Sequence, residues 1–217
     1  MKVAVVRFPG SNCDQDAFHA LNDMGLRAEY VWHDAGSLDG FESVFVPGGF
    51  SYGDYLRCGA MAARSRIMSE VIRLAGAGHP VIGVCNGFQV LTEAGLLPGA
   101  LLQNADEKFI CQDVQLTTDS DSVWTREARG KTLRIPIAHG EGRYIADAET
   151  LAKVEGEGQV AFRYVENVNG SMNSIAGVVS PKGNVMGMMP HPERAANPRL
   201  GNSDGLVILR ALELVKT

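Results

Sequence analysis

One cysteine in this chain stands in a setting suited to covalent chemistry. In Val81-Ile82-Gly83-Val84-Cys85-Asn86-Gly87-Phe88-Gln89, a short apolar run of strand type leads through a cysteine and a glycine into a segment of helical type. Glycines two positions either side of a nucleophile leave room for the tight strand-to-helix turn that lifts a side chain above a parallel sheet. The spacing is that of a G-x-S-x-G elbow with sulfur in place of oxygen. At the start of the next helix, free N–H groups and the positive end of the dipole stabilise negative charge on sulfur. A thiol also needs a base to become a nucleophile, and the same base then protonates the leaving group. Met189-Pro190-His191-Pro192-Glu193 supplies a candidate. His191 titrates near neutral pH, and Glu193, two residues on along an extended segment, points to the same side and would orient the ring. The intervening proline stiffens that placement. A third stretch, Pro47-Gly48-Gly49-Phe50-Ser51-Tyr52-Gly53-Asp54, follows directly on a strand-like run. Adjacent glycines there let the backbone approach a ligand with N–H groups exposed, although an ordinary turn reads the same way.

These groups need a scaffold, and the rest of the chain describes one. Residues 2–8 are almost wholly apolar, as in a strand covered on both faces, and further short strand-like runs follow at 28–33, 43–46 and 81–84. Between them lie helical stretches: one after Ser11 or Asn12 as cap, with Ala17, Ala20, Leu21 and Met24 on its apolar side, a second over 59–75, and a third over 86–94. Strands alternating with helices predict a parallel sheet with right-handed crossovers, an α/β fold of three layers of flavodoxin-like type. After Gly99 the pattern changes to strand-like runs at 108–117, 132–137, 160–165, 175–179 and 185–189, with a hairpin turn over 180–184. This predicts an antiparallel extension of the same sheet, with residues 1–217 as a single domain. Ser203-Asp204-Gly205 caps a closing helix that runs through Val215.

Composition narrows the functions open to such a fold. The 217 residues are 45% hydrophobic and carry a net charge of −5, which excludes a nucleic-acid backbone as partner. No long uncharged apolar segment is present for a membrane, and the opening residues read as a first strand and not an export signal. Cys13, Cys58, Cys85 and Cys111 are far apart in the chain without a C-x-x-C pair, so they read as reduced thiols in a cytoplasmic protein with no metal site. Three of them are expected to fill gaps or sit in loops, and His19, His33 and His79 to be surface or core residues. Neither a phosphate-binding G-x-x-x-x-G-K-[ST] loop nor a dinucleotide fingerprint occurs.

Taken in order, Pro47-Gly48-Gly49, Gly83-Val84-Cys85-Asn86-Gly87-Phe88-Gln89 and His191-Pro192-Glu193 resemble the class I (triad) glutamine amidotransferases over essentially the whole chain. Longer strings narrow the resemblance further. Residues 47–57, Ile135-Pro136-Ile137-Ala138-His139-Gly140-Glu141-Gly142-Arg143-Tyr144 and Asn167-Val168-Asn169-Gly170-Ser171 are similar to the branch serving the fourth step of purine biosynthesis. There, formylglycinamide ribonucleotide becomes formylglycinamidine ribonucleotide. The resemblance implies a glutaminase in which Cys85 attacks the carboxamide of L-glutamine and His191 shuttles protons under the control of Glu193. The N–H groups of Gly49 and Asn86 would form the oxyanion hole, with Gly48 beside it. Gln89, one helical turn from Cys85, would touch the substrate, as would Gly140 and Glu141 through backbone atoms. His139 would serve either there or at a subunit contact. No cofactor is expected on this chain: ATP and Mg would lie on a large synthetase subunit, joined by a small bridging subunit. Two other readings stay open here, a PfpI-like cysteine hydrolase or redox protein on the same elbow, and a non-catalytic relic. A glutaminase serving another acceptor is a further variant.

Overall fold

The structure, a computed structural model, describes residues 1–214. In chain order the strands are β1 (Lys2–Arg7), β2 (Arg27–Trp32), β3 (Ser43–Val46), β4 (Val81–Val84), β5 (Ala100–Leu102), β6 (Ile110–Thr118), β7 (Leu133–His139), β8 (Arg143–Ile145), β9 (Val160–Tyr164), β10 (Ile175–Val179) and β11 (Val185–Met188). The helices are α1 (Asp14–Asp23), α2 (Arg66–Gly76), α3 (Asn86–Glu93), α4 (Ala148–Gly156), α5 (Leu206–Leu209) and α6 (Ala211–Leu214). Among the described residues one sheet of nine strands runs β2-β1-β3-β4-β11-β10-β9-β6-β7. From β2 to β11 neighbours are parallel; from β11 onward they are antiparallel. The expected antiparallel extension therefore continues the core sheet, and the turn at 180–184 is the β10–β11 hairpin. β3 and β4 are buried at every position, which is why their sequences carry no polar face.

Several local expectations give way to packing. The second helix begins at Arg66, not at 59. Gly59 adopts φ +81, and a Cβ there would lie 2.7 Å from the Val90 nitrogen, so the chain turns at this point. A 3-10 turn over Ala62–Arg64 then leads to an extended Ser65 before α2 starts. Neither Ser11 nor Asn12 caps α1: the Ser11 hydroxyl accepts from the Phe8 N–H at 3.0 Å. Asp204 likewise leaves the closing helix uncapped, because it accepts from the Arg134 N–H at 2.8 Å. That helix is two short segments, α5 and α6, and Val215 lies outside the described residues. The sequence reading missed α4, which Asp147 caps by accepting from the Thr150 N–H at 2.7 Å. It also missed the small β5–β8 ribbon.

The topology gathers chemistry at one edge. The segments leaving the C-terminal ends of β1, β3, β4 and β11 are 8–13, 47–51, 85–86 and 189–191. Loops at this edge are where open parallel sheets bind ligands. A bridge between Ser11 and Gly49 joins the first two.

Candidate active site

The elbow is built by close packing. Cys85 caps α3 at φ 52, ψ −111, a backbone region that costs a side-chain-bearing residue on the order of 1–3 kcal/mol. Two bonds hold it there: its N–H donates to the Met188 carbonyl at 2.8 Å, and its carbonyl accepts from the Gln89 N–H at 3.2 Å. The flanking glycines answer to contact. A Cβ on Gly87 would lie 1.9 Å from the Val46 carbonyl oxygen, and one on Gly83 would lie 2.6 Å from the Gly87 oxygen. The first turn of α3 thus rests directly on the ends of β3 and β4.

Because β11 pairs with β4 in parallel, with Met188 opposite Val84, the chain leaves β11 beside Cys85. The His191 N–H donates to the Pro136 carbonyl at 2.8 Å, fixing the backbone. Its Nδ1 lies 2.6 Å from Glu193 Oε1, and both side chains are buried. Burial alone would lower the proton affinity of the ring, but the Glu193 carboxylate and the Cys85 sulfur outweigh it and raise the pKa above its ordinary value. With Nδ1 committed to Glu193, Nε2 is the edge left for chemistry, and it makes no hydrogen bond in the fold. The sulfur leans toward the Ala138 carbonyl at 3.7 Å. A loose nucleophile–base contact is common in a ligand-free site and tightens on substrate.

Gly49 adopts φ +147, and a Cβ there would lie 2.8 Å from the Asn12 nitrogen and the Gly10 oxygen. Its N–H and that of Asn86 donate to no acceptor among the described residues. Both expected oxyanion donors are therefore unspent. The Asn86 side chain ties the walls together. Its Oδ1 accepts from the Ser51 N–H at 3.2 Å, its Nδ2 donates to Gln89 Oε1 at 2.9 Å, and Gln89 Nε2 donates to the Glu141 carbonyl at 2.6 Å. Gln89 lines the cleft, and with both ends of its amide engaged it fixes the backbone of Glu141. Gly48 lies behind the wall. A Cβ on it would meet His191 Cε1 at 2.8 Å and Cys85 Cβ at 3.3 Å.

Around the sulfur is a cleft of about 280 Å³, lined by Gly49, Cys85, Gln89, Gly140, Glu141 and His191, with Phe50 and Phe109 half-exposed at its rim. That is just below the roughly 300 Å³ at which drug-sized sites begin, a size for an amino acid and not a nucleotide. A larger hollow of about 530 Å³ between Asp23 and Arg210 has no Ser, Thr, Cys or His in its lining. Cys13, Asp54, Cys58 and Arg194 are among the lining residues that the sequence reading did not place in the cleft, and His139, left open between the substrate and a subunit contact, is in the lining. Cys13 and Cys58 sit buried in loops, as expected, and also line the cleft, whereas Cys111 is exposed on β6. Burial pushes the Cys13 thiol up to about 12 and the Cys58 thiol up further, so both stay protonated beside the nucleophile. Burial, with His191 nearby, pulls His139 down to about 4. Among the described residues no group of three or more His, Cys, Asp or Glu is placed to hold a metal ion, and no helix is long and apolar enough to cross a membrane.

The geometry agrees with what the chain is similar to. Residues 1–203 match the CobB/CobQ-like glutamine amidotransferase domain. The phosphoribosylformylglycinamidine synthase subunit PurQ of Thermus thermophilus is 60% identical over 215 residues, covering 95% of both chains. A chain in the structure of PurLQS from Thermotoga maritima superposes with a TM-score of 0.91 at 47% identity, covering 99% of each. A glutamine amidotransferase from the same organism, 18% identical with a TM-score of 0.66 over 100% of this chain and 99% of that one, shares the fold. With Cys85 strained at the elbow, a buried His191–Glu193 pair beside it and relatives this near, the chain belongs to the CobB/CobQ-like glutamine amidotransferase family and, within it, to the PurQ subunits of phosphoribosylformylglycinamidine synthase.

Proposed function

We propose that this chain is the glutaminase subunit that supplies ammonia for the conversion of formylglycinamide ribonucleotide to formylglycinamidine ribonucleotide in purine biosynthesis. The observation that carries the chemistry is Cys85 sharing one cleft with a buried imidazole whose other ring nitrogen is paired to a carboxylate. Cys85 gives its thiol proton to His191 Nε2, the sulfur attacks the carboxamide carbon of glutamine, and the negative oxygen of the tetrahedral intermediate accepts from the N–H groups of Gly49 and Asn86. Each such donor is typically worth roughly a hundred- to a thousandfold in rate. His191 Nε2 gives its proton to the departing nitrogen, ammonia leaves, and a glutamyl thioester remains on Cys85. A water molecule then loses a proton to His191 and attacks the thioester, releasing glutamate and restoring the thiol. Glu193 keeps the proton of the ring on Nδ1 and stabilises its charged form.

Ammonia released here is consumed elsewhere. Amidination of an amide requires an activated oxygen, and this chain lacks a nucleotide-binding loop, so ATP and Mg belong to a large synthetase subunit. A small bridging subunit completes the assembly, as the three-part name of the PurLQS relative suggests. Free thiols at Cys13, Cys58 and Cys85 around one cleft support a reducing compartment, the cytoplasm.

The test is Cys85→Ala in the assembled complex. We expect no radiolabelled thioester from glutamine and no glutamine-dependent product, with activity kept when an ammonium salt replaces glutamine. Glutamine-dependent turnover by the variant would refute the assignment of the nucleophile.

A further inference from the structure

At the end of the cleft formed by the loop after β3, the lining is rich in hydrogen-bond acceptors, two of which, Asp54 Oδ1 and His139 Nε2, have no donor. Asp54 ends a tight turn in which Tyr52, Gly53, Asp54 and Leu56 all have positive φ, between +55 and +71. Three of these four carry side chains, and such a run persists only where surrounding structure holds it. Its effect is to fold the Asp54 carboxyl under the loop and into the cleft, where Oδ1 is buried and accepts no hydrogen bond. Burial raises the pKa of that carboxyl, the nearby Cys58 thiol opposes the shift, and repulsion by Glu141 adds to it. Cys58, whose thiol both carboxylates push further toward its protonated form, lines the same end of the cleft. A buried acceptor left unpaired is destabilising unless a ligand completes it.

His139 adds a further acceptor. Asn104 Nδ2 donates to the carbonyls of Lys108 and His139 at 2.8 and 2.9 Å, so its Oδ1 is the acceptor for the Gly142 N–H at 3.1 Å and for His139 Nδ1 at 3.0 Å. The proton of the neutral ring is therefore on Nδ1, and Nε2 presents a bare lone pair. His139 is only 3% exposed, lines the cleft, and its Nε2 has no partner. The arginine in the lining, Arg194, is turned to Asp16 and the Cys13 sulfur, and His191 is paired to Glu193, so neither cation answers these acceptors. What fits them is a compact cation with several N–H donors.

We propose that Asp54 and Glu141, with His139 Nε2 beside them, hold the α-ammonium of glutamine, so that recognition of the amino-acid end sets the depth of the carboxamide over Cys85. The inference rests on the glutaminase reading and adds the residues that choose the substrate. It also explains the strained turn: Asp54 reaches the ligand only from a left-handed backbone, which aspartate tolerates better than most residues.

The experiment compares glutamine with glutaramate, which is glutamine without its α-amino group, on wild type, Asp54→Asn and Glu141→Gln in complex with the synthetase. Removing one charge should lower kcat/KM for glutamine mainly through KM. The glutamine-to-glutaramate ratio should fall by roughly 10- to 100-fold, the usual value of a charged hydrogen bond. A variant that merely disturbs folding lowers both substrates by one factor. An unchanged ratio in both variants overturns the inference while wild-type glutamine hydrolysis leaves the triad standing. A wild-type complex that forms no thioester on Cys85 would instead bring down the parent reading and this one with it.

Discussion

His139 should make this fold acid-sensitive by an amount that the structure sets. Its imidazole is buried and neutral, with a folded pKa of about 4 against 6.5 for the free side chain. Above pH 6.5 both folded and unfolded chains carry the neutral ring, and the contribution to stability is complete. As the pH falls toward 4 the unfolded chain takes up a proton that the folded one refuses, so stability is lost across that window. The 2.5-unit gap corresponds to about 3 kcal/mol in full, of which about 2 kcal/mol is gone by pH 5. His191 adds no slope there. Its folded pKa is raised, so below 6.5 it is protonated in both states. His139→Asn keeps a donor for Asn104 and cannot be protonated, so it removes this term and leaves the carboxylates as they were. Urea unfolding at pH 7.5 and pH 5, followed by fluorescence of the fully buried Trp124, measures the loss in each protein. The variant starts lower because the smaller side chain leaves a gap against Gly142, but its loss between the two pH values should be about 2 kcal/mol less than that of wild type. Equal losses would refute the claim that His139 is buried neutral.

Two further outcomes follow from contacts at the elbow and the triad. Gly87→Ala places a Cβ 1.9 Å from the Val46 carbonyl, a backbone atom that cannot step aside, so we expect a loss beyond about 3 kcal/mol. Thermal unfolding by circular dichroism checks this, and a wild-type Tm would contradict the packing. Glu193→Gln keeps the shape beside His191 but removes the charge that holds the ring protonated, so kcat should fall roughly a hundred- to ten-thousandfold with little change in KM. Steady-state glutamine hydrolysis by the complex decides, and near-normal kcat would remove Glu193 from the triad.

The parallel half of the fold was legible because β1, β3 and β4 are buried on both faces and read as unbroken apolar runs. Helix α4 was not, since it fully buries only Val154 and offers no stripe to count; its Asp147 cap was the available signal. Strands β5 and β8 have three residues each, too few for a period of two to show. At the site, the nucleophile and its base could be read because an elbow and a His-Pro-Glu segment are local patterns. Asp54, Cys13 and His139 are neighbours only through the order of strands, which brings segments from the ends of β1, β3 and β7 to one cleft. The bond that fixes the His139 tautomer comes from Asn104, a loop residue with no pattern of its own.

The pairing of β4 with β11 also has a bearing on how the protein is made. Cys85 follows the fourth strand, while His191, its proposed base, follows the eleventh, so a ribosome adds roughly a hundred residues, taking on the order of ten seconds, between the two. Throughout that interval the growing chain carries a thiol with no imidazole beside it and consumes no glutamine. The same delay leaves the inner edge of β4, with its wholly apolar sequence, unpaired until the hairpin arrives to fill the slot. Protection from premature hydrolysis and exposure to mispairing on the ribosome are thus two results of one strand order.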